Sequence, residues 1–119
     1  MKTTLQILEE AKRSVECGWT QGCWAKNDFG REIGYYTSSA TCFCAEGAMF
    51  RASGQMYSSI DFYHLLNDAL SRFKEAIETE KSIPDWNDFE GRTQDEVVEA
   101  FERAIALEKA LHPSEQVAT

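Results

Sequence analysis

The 119-residue chain is long enough for one domain, and its 43% apolar and 12% aromatic content lies outside the low-hydrophobicity regime of disordered chains. A net charge of −8 disfavours direct binding to DNA or RNA phosphates, and no stretch approaches the roughly 20 apolar residues of a membrane span. The N-terminus, MKTTLQILEEAKRS, carries charges where a signal peptide needs its apolar run, so the chain reads as cytoplasmic, with reduced thiols.

In chain order, Thr3 and Gln6 form a capping-box pattern. Leu5, Leu8, Lys12 and Val15 follow at helical spacing, with Ile7 and Ala11 widening the stripe. A helix is predicted over 4–17, with Gly18 as its left-handed cap. The period is then lost through 19–38. The turn signal Asn27-Asp28-Phe29-Gly30 separates two β-capable pieces, 23–25 and 32–35, and predicts a small hairpin lying against the helices. Trp19, Trp24 and Phe29 can supply that contact, and Gly22 suits a turn.

Ser38 or Ser39 can cap a second helix, over about 40–52, closed by Gly54. Gly47 in its interior costs about 1 kcal/mol relative to alanine, so its backbone is expected to lie close to a neighbour. Ser58 or Ser59 opens a third helix over 59–79, with a wide stripe of Phe62, Leu65, Leu66, Ala69, Phe73, Ala76 and Ile77. Pro84 and turn formers break it. Thr93 and Glu96 form a second capping box, and Val97, Phe101, Ala104, Ile105 and Leu111 carry the last helix to about Leu111, before Pro113. The expected fold is mainly α: a compact four-helix domain over 1–112 with a small β-hairpin after the first helix, and a flexible tail over 113–119.

Four cysteines invite a metal reading, but C-x5-C and C-x-C spacings do not match a paired C-x2-C knuckle, and no metal or cofactor is assigned. Cys44 near a helix start could be a nucleophile, its thiol activated by the helix dipole, with His64 as base and Asn87 or Asp88 orienting it. No spacing links these parts, so a packed cysteine is preferred and no catalytic residue is assigned. In IPDWNDFEGR, Trp86 suits a plug in the core, Asn87 or Asp88 can bond loose backbone amides, and Arg92 can pair with Asp88. The same aromatic, amide and carboxylate groups would also suit a small polar ligand. The candidate ligand-binding set is Trp19, Gln21, Asp28, Cys44, Arg51, Trp86, Asn87 and Asp88.

The order GWTQG, AKNDFGR, CAEGAMFRA and WNDFEGRTQDEVVEAFERAI resembles a family of short uncharacterised proteins from phages and bacteria, known as a domain of unknown function. The resemblance runs from about Leu5 to Ala106 and implies a phage or mobile-element origin. It implies no activity. Cys42 and the pair Tyr35-Tyr36 depart from the family pattern.

Charge is unevenly divided. Residues 1–60 hold six acids and six bases, so the whole net charge lies in 61–119. A solvated acidic face explains this simply. A functional reading is a non-enzymatic binding protein, an inhibitor of a host or bacterial defence protein, whose acidic helices meet a basic protein surface. Glu75, Glu78, Glu80, Asp95, Glu99 and Glu102 are its partner-binding candidates, with Phe62 or Tyr63 as apolar anchors. The alternative is a small-molecule-binding protein or a thiol-dependent enzyme built on Cys44 with Asn87 and Asp88.

Overall fold

The computed structural model describes residues 2–54 and 60–113, with side chains 60–63 excepted. The proposed caps Ser58 and Ser59, the anchors Phe62 and Tyr63, and residues 114–119 of the expected tail lie outside this description. The elements run α1 (Thr4–Cys17), β1 (Ala25–Lys26), β2 (Cys42–Phe43), α2 (Ala45–Ser53), α3 (Ile60–Ile77), α4 (Ile83–Asn87) and α5 (Gln94–Leu111). The fold is mainly helical, with a small antiparallel strand pair after α1.

Both capping boxes form. Thr3 and Gln6 exchange side-chain-to-backbone bonds at the start of α1, and Thr93 and Glu96 do so at α5. α1 lies against α2, α3 and α5, and α3 also packs on α5. One apolar cluster joins every element, from Ile7, Leu8, Ala11 and Val15 of α1 to Val97, Phe101 and Ala104 of α5. At its centre Phe73 of α3 meets Phe101 with ring centroids 4.6 Å apart and Trp86 edge-on at 5.7 Å. An ion pair with a buried carboxylate also joins α3 to α5, with the half-buried Arg72 Nε 3.2 Å from Glu108 Oε1. Burial lowers the affinity of the Arg72 guanidinium for its proton, but Glu75 and Glu108 outweigh that and hold it more firmly charged than usual.

The chain departs from expectation where tertiary contacts override local signals. Gly18 is extended (φ −172°) rather than left-handed. A Cβ there would come 2.2 Å from the Thr41 carbonyl oxygen, so it is the close approach of β2 that demands glycine. β1 pairs with Cys42–Phe43 instead of residues 32–35, although Lys26 still bridges Glu32 around the expected turn. Residues 42–43 are thereby drawn out of the helix expected over 40–52. Phe43 N donates to Gly18 O at 3.0 Å, Thr20 N to Phe43 O at 3.2 Å, and Cys44 N to Trp24 O at 3.1 Å. The cap of α2 is therefore Cys44, neither Ser38 nor Ser39, and its Sγ accepts from Gly47 N at 3.2 Å. Gly54, at φ +86°, closes α2 in the left-handed conformation. The segment read as a helix-breaking loop contains a fifth, five-residue helix, α4, capped by Ser82 with Pro84 in its first turn, where proline costs no hydrogen bond.

Candidate functional site

Asn87, at the end of α4, is fully buried, and its side chain uses all four hydrogen-bonding positions. Its Oδ1 accepts from Trp19 Nε1 at 2.9 Å and from Ala45 N, in the first turn of α2, at 3.0 Å. Its Nδ2 donates to Thr20 O at 3.1 Å and to Asp88 Oδ1 at 2.9 Å. Gln21 Nε2 reaches back to Asn87 O at 3.0 Å and Phe89 O at 3.2 Å, while Gly22 N donates to Asp88 Oδ1 at 2.9 Å. Gly22 makes this corner with φ +84°. The corner at 19–22, the start of α2 and the end of α4 are thus stitched through one amide and one carboxylate.

Gly47 completes the junction. A Cβ on it would stand 2.2 Å from the Trp24 carbonyl oxygen, so α2 meets the 24–25 backbone with no room for a side chain. Cys44, only 3% exposed, is enclosed at the same place. Burial pushes its thiol up to about 11, with Glu46 and Asp88 adding to the rise and the Gly47 and Glu46 amides opposing it. A thiol held protonated is a poor nucleophile at neutral pH. His64 is exposed on α3, and the bond that Sγ makes is to the Gly47 amide. The geometry at Cys44 is that of a cap and packing residue.

Of the candidate ligand set, Trp19, Gln21, Cys44, Asn87 and Asp88 meet in this junction, and Trp86 packs beside it in the core. Arg92 does not pair with Asp88. Its guanidinium lies 4.0 Å from the Trp86 ring centroid, its Nε donates to Trp86 O at 2.9 Å, and its Nη1 stands 3.6 Å from Glu96. Asp28 lies apart, exposed in the 27–31 turn whose amides bond to Asn27 Oδ1. Arg51 also lies apart. Its Nη1 donates to Tyr35 O at 3.0 Å and Thr37 O at 2.6 Å, and its guanidinium rests 5.4 Å from the Phe43 ring centroid. Tyr35 packs in turn against Trp24, Phe50 and Tyr36 with centroids 5.4–5.8 Å apart, which gives the Tyr35-Tyr36 pair a packing role.

The six acidic candidates also separate. Glu75 and Glu78 line a groove of about 630 Å³ between the C-terminal ends of α3 and α5, with Ala76, Ala106, Leu107 and Leu111 among its walls and Arg103 at its edge. Leu111 is 55% exposed and Leu107 36%. Glu102 stands 3.4 Å from Lys12 of α1, Asp95 sits in the first turn of α5, and Glu80 and Glu99 are exposed outside the groove. Leu111, expected among the apolar residues that carry the last helix, stands exposed here, and Leu107 is the wall residue that sequence reasoning missed. They fall at 107 and 111, one helical turn apart, and that spacing was the available signal.

Among the described residues, no three His, Cys, Asp or Glu side chains gather around a position for one metal ion, and no helix is long and apolar enough to cross a membrane. Residues 1–107 match the family model of DUF6197, a family of unknown function. No curated protein and no solved structure matches the chain. With nearly the whole chain covered by that match, the protein belongs to DUF6197.

Proposed function

We propose that this protein is a non-enzymatic binding protein that engages a basic partner through the groove between the C-terminal ends of α3 and α5. The observation that carries this reading is the juxtaposition of exposed Leu107 and Leu111 with the carboxylates of Glu75 and Glu78. Apolar side chains supply most of the energy of such a contact, while surrounding charge sets the approach and orientation of the partner. A helix with leucines on one face and lysines or arginines beside them has the matching chemistry. Glu78 supports the reading from another direction. It holds a left-handed backbone (φ +48°) at the end of α3, a position where glycine costs less. In a phage or mobile-element setting the partner would be a host or bacterial defence protein, and occupancy of its basic surface would inhibit it.

The test is capture from a bacterial lysate with the wild type, Glu75→Lys/Glu78→Lys and Leu107→Ser/Leu111→Ser, followed by rebinding of the purified partner. Both double variants are expected to weaken a genuine partner by about tenfold or more. A partner retained equally by all three proteins sinks the groove reading.

A further inference from the structure

A second groove, of about 660 Å³, lies where α1 meets β2 and the C-terminal end of α2. Lys2, Arg13 and Arg51 line it against a single carboxylate, Glu10, with Ser14, Cys17 and Thr41 also on its walls. This is a concentration of positive charge on a chain of net −8. Lys2 is already engaged, 2.6 Å from Glu10 and donating to Ala52 O at 2.7 Å. The two arginines are not balanced in this way. Among the described residues Arg13 has no ion-pair or hydrogen-bond partner, and Arg51 bonds only through Nη1, to two backbone carbonyls. Those carbonyls and the Phe43 ring hold the Arg51 guanidinium in place, leaving Nε and Nη2 as spare donors. A second departure from the fully paired pattern lies on the same wall: Thr41 Oγ1 is the buried side-chain polar atom without a partner among the described residues.

We infer that this groove binds a small molecule through an oxyanion, either a phosphate or a carboxylate group, held by Arg51 and Arg13. A fixed guanidinium with two free donors matches the paired oxygens of either group. The volume falls within the range of about 300–1,000 Å³ that small-molecule sites occupy. The site is separate from the Asn87 junction and does not depend on the proposed partner groove. Sequence reading placed Arg51 among ligand-binding candidates but offered no link to Lys2 or Arg13, because the fold alone brings these three segments together.

Calorimetric titration with pyrophosphate and with citrate, each against sodium chloride of equal ionic strength, tests the assignment. Saturable binding of either probe is expected, weakened about tenfold in Arg13→Gln, which loses a charge with no structural partner to disturb. Arg51→Lys should weaken it as well, and its thermal midpoint without probe reports whether the 35–37 loop stays anchored. Binding of pyrophosphate alone assigns a phosphate ligand, and binding of citrate alone a carboxylate. Cys17, exposed on the groove wall, should alkylate more slowly with probe bound. Absence of saturable binding by both probes, or equal affinity in Arg13→Gln, overturns the inference.

Discussion

The Asn87 junction and the α3/α5 groove differ in almost every physical respect. The junction is closed. Its amide spends every hydrogen bond internally, its glycine admits no methyl group, and its thiol is buried and held protonated. The groove is open, with two exposed leucines beside two exposed carboxylates. The residues most conspicuous in the sequence, WTQG, CAEGA and WND, thus form the internal frame. The groove proposed for a partner is built from ordinary helix residues that no motif marks. A motif-dense stretch need not be a site, because close backbone approach and a fully used amide constrain residue choice as tightly as chemistry does.

The sharpest way to break this contrast is Asn87→Ala. It strands the Trp19 indole N–H and the Ala45 amide inside the protein and should cost about 4 kcal/mol, since each buried unpaired group costs about 1–3 kcal/mol. Chemical denaturation measures it, and a loss under about 1 kcal/mol would mean that the junction is not structural. Gly47→Ala should cost about 3 kcal/mol by the same measurement, because the new methyl meets the Trp24 carbonyl, a backbone atom with little freedom to retreat.

Alkaline pH sharpens the comparison further. The Cys44 thiol ionises near its ordinary 9.0 when unfolded but near 11 when folded. The unfolded chain therefore releases this proton first, and folding stability falls as pH rises between those values. The contribution, about 2–3 kcal/mol, is complete below pH 9 and lost above pH 11. Cys44→Ser keeps a capping oxygen and removes the ionisation, so its denaturation midpoint should decline less steeply over this range. Parallel slopes for the two proteins would place the thiol in a wetter setting. In the groove the effects on folding should be smallest. Glu75→Lys/Glu78→Lys is expected to stay within about 1 kcal/mol of wild type, since the Arg72–Glu75 pair that it removes is at the surface. A larger loss would make the acidic rim part of the frame.

Much of the fold was legible in the sequence. The capping boxes at Thr3 and Thr93 and the stripes through Leu8, Phe73 and Phe101 are local signals that the structure follows. The start of α2 was not, because Ser38 and Ser39 look like caps while the extended path of Phe43 and Cys44 is set by partners near residues 18–24. Nor was α4, where Pro84 reads equally as a breaker and as a first-turn residue. At the candidate site, residue types were readable and neighbours were not. Asn87 and Asp88 read as partners for loose backbone amides, and they accept from the Ala45 and Gly22 amides, yet nothing local tells that Asn87 also faces the Trp19 indole or that Arg51 lies with Lys2.

The bonds of Asn87 cross long intervals of chain: 68 residues to Trp19, 67 to Thr20 and 42 to Ala45. Contacts of such span cannot close until the whole intervening chain is present, and their loop-closure entropy must be met before they stabilise anything. On the ribosome, Trp19 and the head of α2 must wait until α4 has emerged, so α1 and α2 are synthesised well before they can be locked. A nascent chain stalled before residue 87 would hold its amino-terminal helices without their fastening and offer that segment to proteases or chaperones until the last third arrives.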